Sequence, residues 1–330
     1  MLTSKPLIAF IVPTGIGASI GGFAGDASCF ARSFTDDFNV IANPNTVNAA
    51  CFSGISDSML YLEGWAFSQF MKGNLNLIPS KNNKIGIIFD KAIPRGILNV
   101  HLNVINAMKT VYGINITGYE ITEEEAGIDF FETASGISSG SVMNNKTLLE
   151  AGRKLIKRGA EALACVCAFP EPPEDDYQNG TGIDIIGGIE AVISHYLTRE
   201  LKVQTVHAPA FENIEITKEL VNPKAAAEYI TPSFLPCLLT GLNNAPRLSF
   251  NKEAGSLSKN DLKALIMPYN SLGSSTVSDA LSSGIKVFAV KENETVLKIT
   301  KDIIKNNDII ETDTYKTCIK ELKEIIYEKD

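Results

Sequence analysis

Residues 176–195 bring acidic, basic and glycine residues together in one short segment, DYQNGTGIDIIGGIEAVISH. A helix that begins just after Asp184 would bury an isoleucine-rich face and place Asp184 and His195 on a neighbouring stripe. A carboxylate and an imidazole so placed can transfer protons near neutral pH. The glycines before the helix favour a hinged loop, so we expect residues 176–184 to cover a bound ligand. The alternative is structural: Asp184 caps the helix, and His195 and Arg199 are solvated flank residues.

The other two of the chain's three histidines differ in their surroundings. His207 ends the strand pattern QTVHAP, and the carboxyl ends of parallel strands are where α/β proteins bind ligands. We therefore expect a catalytic, proton-transferring set made of His195, His207, Asp184 and Glu190. No metal is expected, although His195, His207 and Asp184 would be the ligands of a divalent ion if one were used. His101 falls on an apolar helical stripe and is predicted to be a core histidine.

Three loops rich in glycine and serine follow strand patterns and are predicted to line one cavity and bind an oxyanion. Small residues let backbone N–H groups approach an anion at the start of a helix. The first loop has the spacing GxGxxxG and no acidic residue ends the next strand, IANPN, so it is not a dinucleotide fingerprint. It is not a P-loop either, because it has no Gly-Lys-Ser/Thr. Close packing and helix capping are the structural alternatives. The predicted substrate-binding residues are Gly15, Gly17, Ser19, Gly21, Gly22, Ser135, Ser138, Ser139, Tyr177, Gly180, Gly182, Arg199, Ser274 and Ser275.

Six cysteines are scattered through mostly apolar segments, at positions 29, 51, 165, 167, 237 and 318. Such usage favours reduced, buried thiols in a cytoplasm over a disulfide framework. Cys165 and Cys167 would point to one face of a buried strand, where they could meet His207 as a soft metal site. Two cysteines and one histidine do not complete a structural zinc set, so we expect plain buried thiols.

The elements that must position these residues alternate between strands and helices. Buried-strand patterns are AFIVP, NVIANP, KIGIIFD, ALACVCAF, QTVHAP, ALIMPY and KVFAV. Helical patterns lie between them, as in PRGILNVHLNVINAMKTVYG, and the charged C-terminal segment has apolar residues at helical spacing. This alternation predicts an α/β fold with a mostly parallel sheet, or sheets, covered by helices. We expect AFIVP, KIGIIFD, ALACVCAF and QTVHAP to be neighbours in one sheet.

The chain of 330 residues is long enough for two lobes with a ligand cleft between them. Polar segments predict a central lobe at 84–250 and an outer lobe formed by 1–83 and 251–330. The net charge of −8 opposes nucleic-acid binding, and no apolar run is long enough to span a membrane. We expect a cytoplasmic homo-oligomer whose partner is a small anionic metabolite.

Several segments together resemble the domain-of-unknown-function family 3326, which is best known from photosynthetic organisms. The segments are PTGIGASIGGFAGDA, TASGISSG, YQNGTGIDIIGGIEAVISH, HAPAF and FLPCLLTGLNNAP. The likeness runs along essentially the whole chain, and the segments occur in the family's order. It implies that the three histidines, Asp184, Glu190 and the glycines at 180, 182 and 188 belong to the family's motifs. It implies no particular reaction, cofactor or catalytic residue.

The chain also departs from the family pattern at three positions. Asn43 stands where the resemblance implies histidine, Ala168 where it implies arginine, and Lys291 where it implies an acidic residue. The motifs favour an enzyme that acts on a small anionic metabolite by His/carboxylate proton transfer, as an isomerase, lyase or hydrolase without a nicotinamide cofactor. A divalent-metal enzyme that uses the same side chains, and a metabolite-binding or regulatory protein without turnover, are the alternatives.

Overall fold

Two parallel sheets organise the chain in a computed structural model, which describes residue 2 and residues 4–172, 176–213 and 216–327. The larger sheet contains, in spatial order, β16 (Ile309–Thr312), β15 (Lys286–Val290), β14 (Leu262–Pro268), β1 (Leu7–Phe10), β2 (Asn39–Ala42) and β5 (Met59–Tyr61). The smaller sheet contains β12 (Thr205–Ala210), β11 (Ala162–Ala168), β7 (Ile85–Phe89) and β8 (Ile116–Ile121). Short antiparallel pairs are formed by β3 (Asn48–Ala49) with β4 (Phe52–Ser53), β6 (Asn76–Ile78) with β13 (Arg247–Ser249), and β9 (Ile128–Glu132) with β10 (Ser138–Val142).

Helices connect and cover these strands, and their ends follow local sequence signals. Glu63 caps the start of one helix with its side chain, Ser274 does so for another, and Gly113 ends a third with a φ of 65°. The α-helices are α1 (Ser28–Ser33), α2 (Pro44–Val47), α3 (Gly64–Met71), α4 (Arg95–Tyr112), α5 (Asn145–Lys157), α6 (Gly187–Leu201), α7 (Ala226–Tyr229), α8 (Leu235–Asn243), α9 (Ser275–Ser282), α10 (Lys301–Ile304) and α11 (Tyr315–Tyr327). Two 3₁₀ helices span Asp176–Asn179 and Lys259–Asp261.

The predicted α/β class is confirmed, because every strand pair within both large sheets is parallel and helices cover the sheet faces. KIGIIFD, ALACVCAF and QTVHAP are direct neighbours, as β7, β11 and β12. The prediction is wrong for AFIVP, which forms β1 between β2 and β14 in the other sheet. A strand's local pattern shows that it is buried, whereas its sheet depends on pairing with distant segments.

Apolar side chains of both sheets meet in one buried cluster. Phe10 of β1 and Ile87 of β7 both belong to it, together with residues of α4, α8 and α11. The strands of the larger sheet come from residues 7–61 and 262–312, and those of the smaller sheet from 85–210. The division into lobes at 84 and 250 stays a prediction. No helix among the described residues is both long and apolar enough to cross a bilayer.

Candidate functional site

A cavity of about 960 Å³ opens beyond the carboxyl ends of β2 and β5 and along β12. Strands from both sheets therefore form its walls, and the first half of α6 forms another wall. Ligand sites of α/β proteins commonly lie at such strand ends. Of the residues predicted from the sequence to act on a ligand, the structure brings these to the cavity: Gly22, Tyr177, Asp184, Glu190, His195 and His207.

The shortest polar contact in the cavity joins His195 of α6 to Glu63. Nδ1 of His195 contacts Oε1 of Glu63, whose side chain is only 1 % exposed. The two carboxylate oxygens of Glu63 also accept hydrogen bonds from the backbone N–H groups of Trp65 (3.0 Å) and Ala66 (3.1 Å). These N–H groups belong to the first turn of α3, so the helix start fixes the carboxylate. Glu63 in turn orients the imidazole, whose side chain is 46 % exposed.

Gly64 leaves the space that this pairing needs. A Cβ atom at position 64 would lie 2.6 Å from Cε1 and 3.2 Å from Nε2 of His195. Distances that short require the ring to move. The pair therefore depends on the sequence Glu63-Gly64, in which one residue binds the histidine and the next makes room for it.

A second histidine–carboxylate pair lies deeper in the molecule. Nδ1 of His207 is 3.3 Å from Oε1 of Glu190, and the side chain of His207 is fully buried. Burial lowers the pKa of His207 to about 3, with the charge of Asp90 acting in the opposite direction. Burial also raises the pKa of Glu190 to about 8. The ring of Phe169 stacks on that of His207 at a centroid distance of 5.1 Å.

Glu228 is a third carboxyl group of the cavity wall, and its Oε1 atom faces two donors. The backbone N–H of Ala24 donates to it at 3.1 Å and the hydroxyl of Tyr177 at 2.8 Å. Burial, followed by the negative charge of Asp184, raises the pKa of Glu228 to about 8. Tyr177 is held in place by its ring contact with Phe23 at 4.6 Å.

The lining of the cavity is acidic. Glutamate and aspartate side chains are contributed by Glu63, Glu171, Asp184, Glu190 and Glu228, and no lysine or arginine occurs among the described lining residues. Arg199 was expected to bind an anion, but it does not line the cavity. It pairs with Glu200 at 2.8 Å and stacks on the ring of Tyr196, because it lies on the exposed C-terminal part of α6.

Asp184 and the loop before it adjoin the cavity as predicted. The side chain of Asp184 accepts hydrogen bonds from the backbone N–H groups of Ile186 (3.1 Å) and Gly187 (3.0 Å), so it also stabilises the start of α6. Gly180 and Gly182 have φ angles of 74° and 87°, which favour glycine, but neither lines the cavity. The side chain of Asp176, where the predicted covering loop begins, lies outside the described residues.

The glycine loop at 15–22 reaches the cavity only through Gly22, which corrects the predicted anion cradle. Its polar backbone groups are bonded to other parts of the protein. The N–H of Ser19 donates to the carbonyl of Glu294 at 2.7 Å, and the carbonyl of Gly15 accepts from the N–H of Ser138 at 2.7 Å. Gly15, Gly17, Ser19 and Gly21 therefore join neighbouring segments and do not surround a ligand.

The serine loops were also predicted to line the cavity, and this prediction is wrong. The Ser138 hydroxyl accepts a hydrogen bond from the N–H of Gly188 at 2.9 Å, whereas Ser139 lies in β10 and Ser135 contacts Thr133. Ser274 caps α9 and Ser275 begins that helix. Serine at such positions serves capping and turn formation, which the sequence pattern cannot distinguish from ligand binding.

The set of His195, His207 and Asp184, which would be the ligands if a metal were used, does not assemble, because His195 binds Glu63 and Asp184 caps α6. In the described parts of the chain, the three-residue group whose ligand atoms come within 4.8 Å of one another is Cys165, Cys167 and His207. All six cysteines have free thiols.

His101 is confirmed as a core residue, since it is buried and contacts the carbonyl of Ile97 through Nδ1 at 2.9 Å. Among the departures from the family pattern, Asn43 lines the cavity and its side chain joins β2 to the backbone of Val12. Ala168 ends β11, and Lys291 lies at the surface near Glu311 and Asp313.

The sequence prediction missed Glu63, Gly64 and Glu228. Glu63 has a signal in the sequence, because an acidic residue and a glycine follow the buried strand pattern MLYL and precede a helix. Glu228 stands in the polar stretch NPKAAAEYI, which has no feature that distinguishes it from an ordinary exposed turn. Its position becomes informative only once Tyr177 is known to lie beside it.

Comparisons with known proteins identify the family of the chain. No solved structure matches the chain. An uncharacterized lipoprotein of Synechococcus sp. is 35% identical over 306 residues, which cover 91% of this chain and 85% of the relative. The family described as "Protein of unknown function (DUF3326)" matches residues 7–323. The chain therefore belongs to the DUF3326 family.

Proposed function

We propose that the chain is an enzyme that moves protons on a small polar substrate without net negative charge, with His195 as the base. The observation that carries this proposal is the Glu63–His195 pair on the cavity wall. A buried carboxylate held by two backbone N–H groups orients a partly exposed imidazole. Because Glu63 engages Nδ1–H, Nε2 is the ring atom that accepts the proton.

Glu228 supplies the balancing proton. Its Oε1 atom accepts hydrogen bonds from Ala24 and Tyr177, so Oε2 carries the proton when the group is neutral. A pKa of about 8 keeps most of Glu228 protonated at neutral pH. His195 takes one proton from the substrate and Glu228 gives one back. If a carbon atom of the substrate receives the proton from Glu228, the product is an isomer of the substrate. If a leaving group receives it, the reaction is an elimination. Proton exchange with solvent then returns His195 and Glu228 to their starting protonation states.

The charge of the lining sets the substrate class. Its acidic side chains, with no lysine or arginine among the described lining residues, favour a neutral or cationic compound. This proposal replaces the anionic metabolite expected from the glycine and serine loops, because the N–H groups of Ser19 and Gly188 bond within the protein. His207 has no part in the proton transfer, since its side chain is fully buried.

Hydrogen exchange with the solvent tests the proposal whatever the substrate is. The purified protein is incubated in D₂O with a mixture of neutral and cationic metabolites, and mass spectrometry identifies compounds that gain deuterium. We expect His195→Gln to abolish the gain, because Gln cannot accept and release a proton near neutral pH. Arg199→Gln is the matched control, since Arg199 lies on the same helix outside the cavity.

The outcomes separate catalysis from binding. Loss of deuterium incorporation in His195→Gln, with a melting temperature close to that of the wild type, supports His195 as the base. Equal deuterium incorporation by His195→Gln and Arg199→Gln would overturn the role of His195 as the base. A compound that is retained by the protein but gains no deuterium from the wild type identifies a metabolite-binding protein without turnover.

We also propose that the protein acts in the cytoplasm as a homo-oligomer. Six free thiols suit a reducing compartment, whereas the name of the Synechococcus relative, a lipoprotein, would instead suggest attachment to a membrane. Exposed Tyr119 and Ile121 on the edge strand β8 support self-association. Cell fractionation tests the location, and light scattering after size-exclusion chromatography tests the oligomeric state.

A further inference from the structure

A compact group of buried polar atoms lies between α6 and the smaller sheet, beside the cavity that His207 and Glu190 line. Cys165 and Cys167 project from the same face of β11, and their sulfur atoms are 3.7 Å apart. His207 stands opposite Cys165 on the adjacent strand β12, and a ring nitrogen lies within 4.8 Å of the sulfurs. Asp90 follows β7, the strand that flanks β11 on its other side.

Two polar atoms in this region have no hydrogen-bond partner among the described residues. They are Nε2 of His207 and Oδ2 of Asp90, and both are buried. Leaving such an atom unpaired in the interior is unfavourable, and native proteins rarely do so without a function. The other atom of each side chain is engaged: Nδ1 of His207 contacts Glu190, and Oδ1 of Asp90 accepts from the N–H groups of Ala92 and Ala126. The side chains are therefore held with one ligand atom each still available.

We propose that Cys165, Cys167 and His207 bind a thiophilic divalent cation of the zinc class, with Nε2 as the histidine ligand. Two thiolates about 2.3 Å from a tetrahedral zinc ion are roughly 3.8 Å apart, close to the separation of these sulfurs. A zinc-bound nitrogen and sulfur are roughly 3.6 Å apart, so the ring of His207, which has a nitrogen within 4.8 Å of the sulfurs, must move toward them to bind the ion. We assign the fourth position to Oδ2 of Asp90, because that atom is buried and the charge of Asp90 acts on both His207 and Cys167.

Glu190 is placed to orient His207 in the proposed metal site. A histidine that binds zinc through one nitrogen usually donates its other N–H to a carboxylate, which fixes the ring and increases its affinity for the metal. Glu190 stands in that position toward Nδ1 of His207. The site is distinct from the Glu63–His195 pair, so metal binding and proton transfer are separable.

Cobalt serves as the spectroscopic probe, because a cobalt–thiolate bond gives charge-transfer absorption in the near ultraviolet. The full chain is produced in medium supplemented with Co²⁺ and purified with a phosphine reductant, so that the closed site is loaded as the protein folds. We expect one cobalt per chain, a charge-transfer band, and displacement of the cobalt by an equal amount of Zn²⁺. Cys165→Ser should lose about half of the band, and Cys165→Ala/Cys167→Ala should lose all of it.

Cys318→Ser is the control, because Cys318 is equally buried but lies in α11, away from the smaller sheet. It should bind cobalt as the wild type does. His207→Gln provides a second test that leaves both thiols in place and should lower the cobalt content at least tenfold. The proposal is overturned if the folded wild type contains no cobalt, or if the band survives in the double alanine variant. Deuterium incorporation by Cys165→Ser should remain, which distinguishes this proposal from the one for His195.

Discussion

Gly64 and the ring of His195 occupy adjoining space, so that a single added methyl group at Gly64 would lie 2.6 Å from Cε1 of His195. The backbone at the start of α3 thus determines where the imidazole can be. This contact explains why a glycine immediately follows the carboxylate that binds His195. Gly64, which itself lines the cavity, is consequently required for the geometry of the proposed base.

Replacing Gly64 with alanine should displace the ring of His195 from Glu63. We expect deuterium incorporation to fall at least tenfold and the free energy of unfolding to decrease by about 1–3 kcal/mol, as for other overpacked sites. Gly96→Ala is the matched control, because Gly96 also lies in the first turn of a helix and has nothing within 4 Å of the added methyl. Full exchange activity in Gly64→Ala would show that the pairing with Glu63 is dispensable.

The state of the His195 ring can be observed directly. Because Nδ1 contacts the carboxylate of Glu63, which can only accept a hydrogen bond, the neutral ring should carry its proton on Nδ1, the less common arrangement in solution. Long-range nitrogen–proton correlation spectra distinguish the two ring forms. Glu63→Ala should release the ring and restore the usual form. An Nε2 proton on His195 in the wild type would contradict the proposed base.

Glu228 should make the stability of the protein depend on pH. Its pKa is raised from 4.5 to about 8 by burial and by Asp184, with a smaller effect from Glu190, while Tyr177 and the N–H of Ala24 act against the rise. Its proton therefore favours the folded state, and the benefit is complete below pH 4.5 and is lost as the pH rises toward about 8. The side chain of Gln cannot ionise. Above this pH range, the free energy of unfolding of Glu228→Gln should therefore be larger than that of the wild type by on the order of 2 kcal/mol. Urea unfolding at several pH values measures the difference, and parallel stability curves would refute it.

Tyr177→Phe should shift that transition to higher pH. The hydroxyl of Tyr177 stabilises the charged form of Glu228, so its removal raises the pKa of Glu228 further. We expect a loss of about 1 kcal/mol in unfolding free energy at low pH from the missing hydrogen bond. Tyr269→Phe, which removes an exposed hydroxyl, serves as the control. An unchanged transition in Tyr177→Phe would mean that the two side chains do not interact in solution.

Gly188→Ala should destabilise the fold much more than the same substitution at Gly96, where the added methyl has open space. A Cβ atom at Gly188 would lie 2.0 Å from the carbonyl oxygen of Ser138, a backbone atom that cannot rotate away. We expect a loss of about 3 kcal/mol or more, since β10 must move off α6. Gly96→Ala should change stability by less than about 1 kcal/mol. Similar melting temperatures for the two variants would show that β10 adapts easily.

Much of the site was predictable because its residues lie close together in the sequence. Helical periodicity across residues 176–195 put Asp184 and His195 on one stripe, and both line the cavity, whereas the strand pattern QTVHAP placed His207 at a sheet. The same local reasoning predicted seven of the ten strands in the two sheets and missed β5, β8 and β16. Each of these conclusions needs only a repeating pattern within a short segment.

The features of the site and fold that the sequence did not predict depend on contacts between distant parts of the chain. Glu63 meets His195 across 132 positions, and Tyr177 meets Glu228 across 51, so neither pairing leaves a pattern in a single segment. The assignment of AFIVP to the wrong sheet has the same origin. The prediction that the serine loops line the cavity was wrong for a different reason. A serine that caps a helix and a serine that binds a ligand can lie in the same local sequence pattern.

Helix α6 holds both histidine–carboxylate pairs, and this has a consequence for how the family can evolve. Glu190 reaches His207 in the smaller sheet, while His195, only five positions later, reaches Glu63 beside the larger sheet. One inserted or deleted residue between them would rotate the rest of the helix by about 100° and break one of the pairs. Natural variation within this interval should therefore alter its composition freely while its length stays constant.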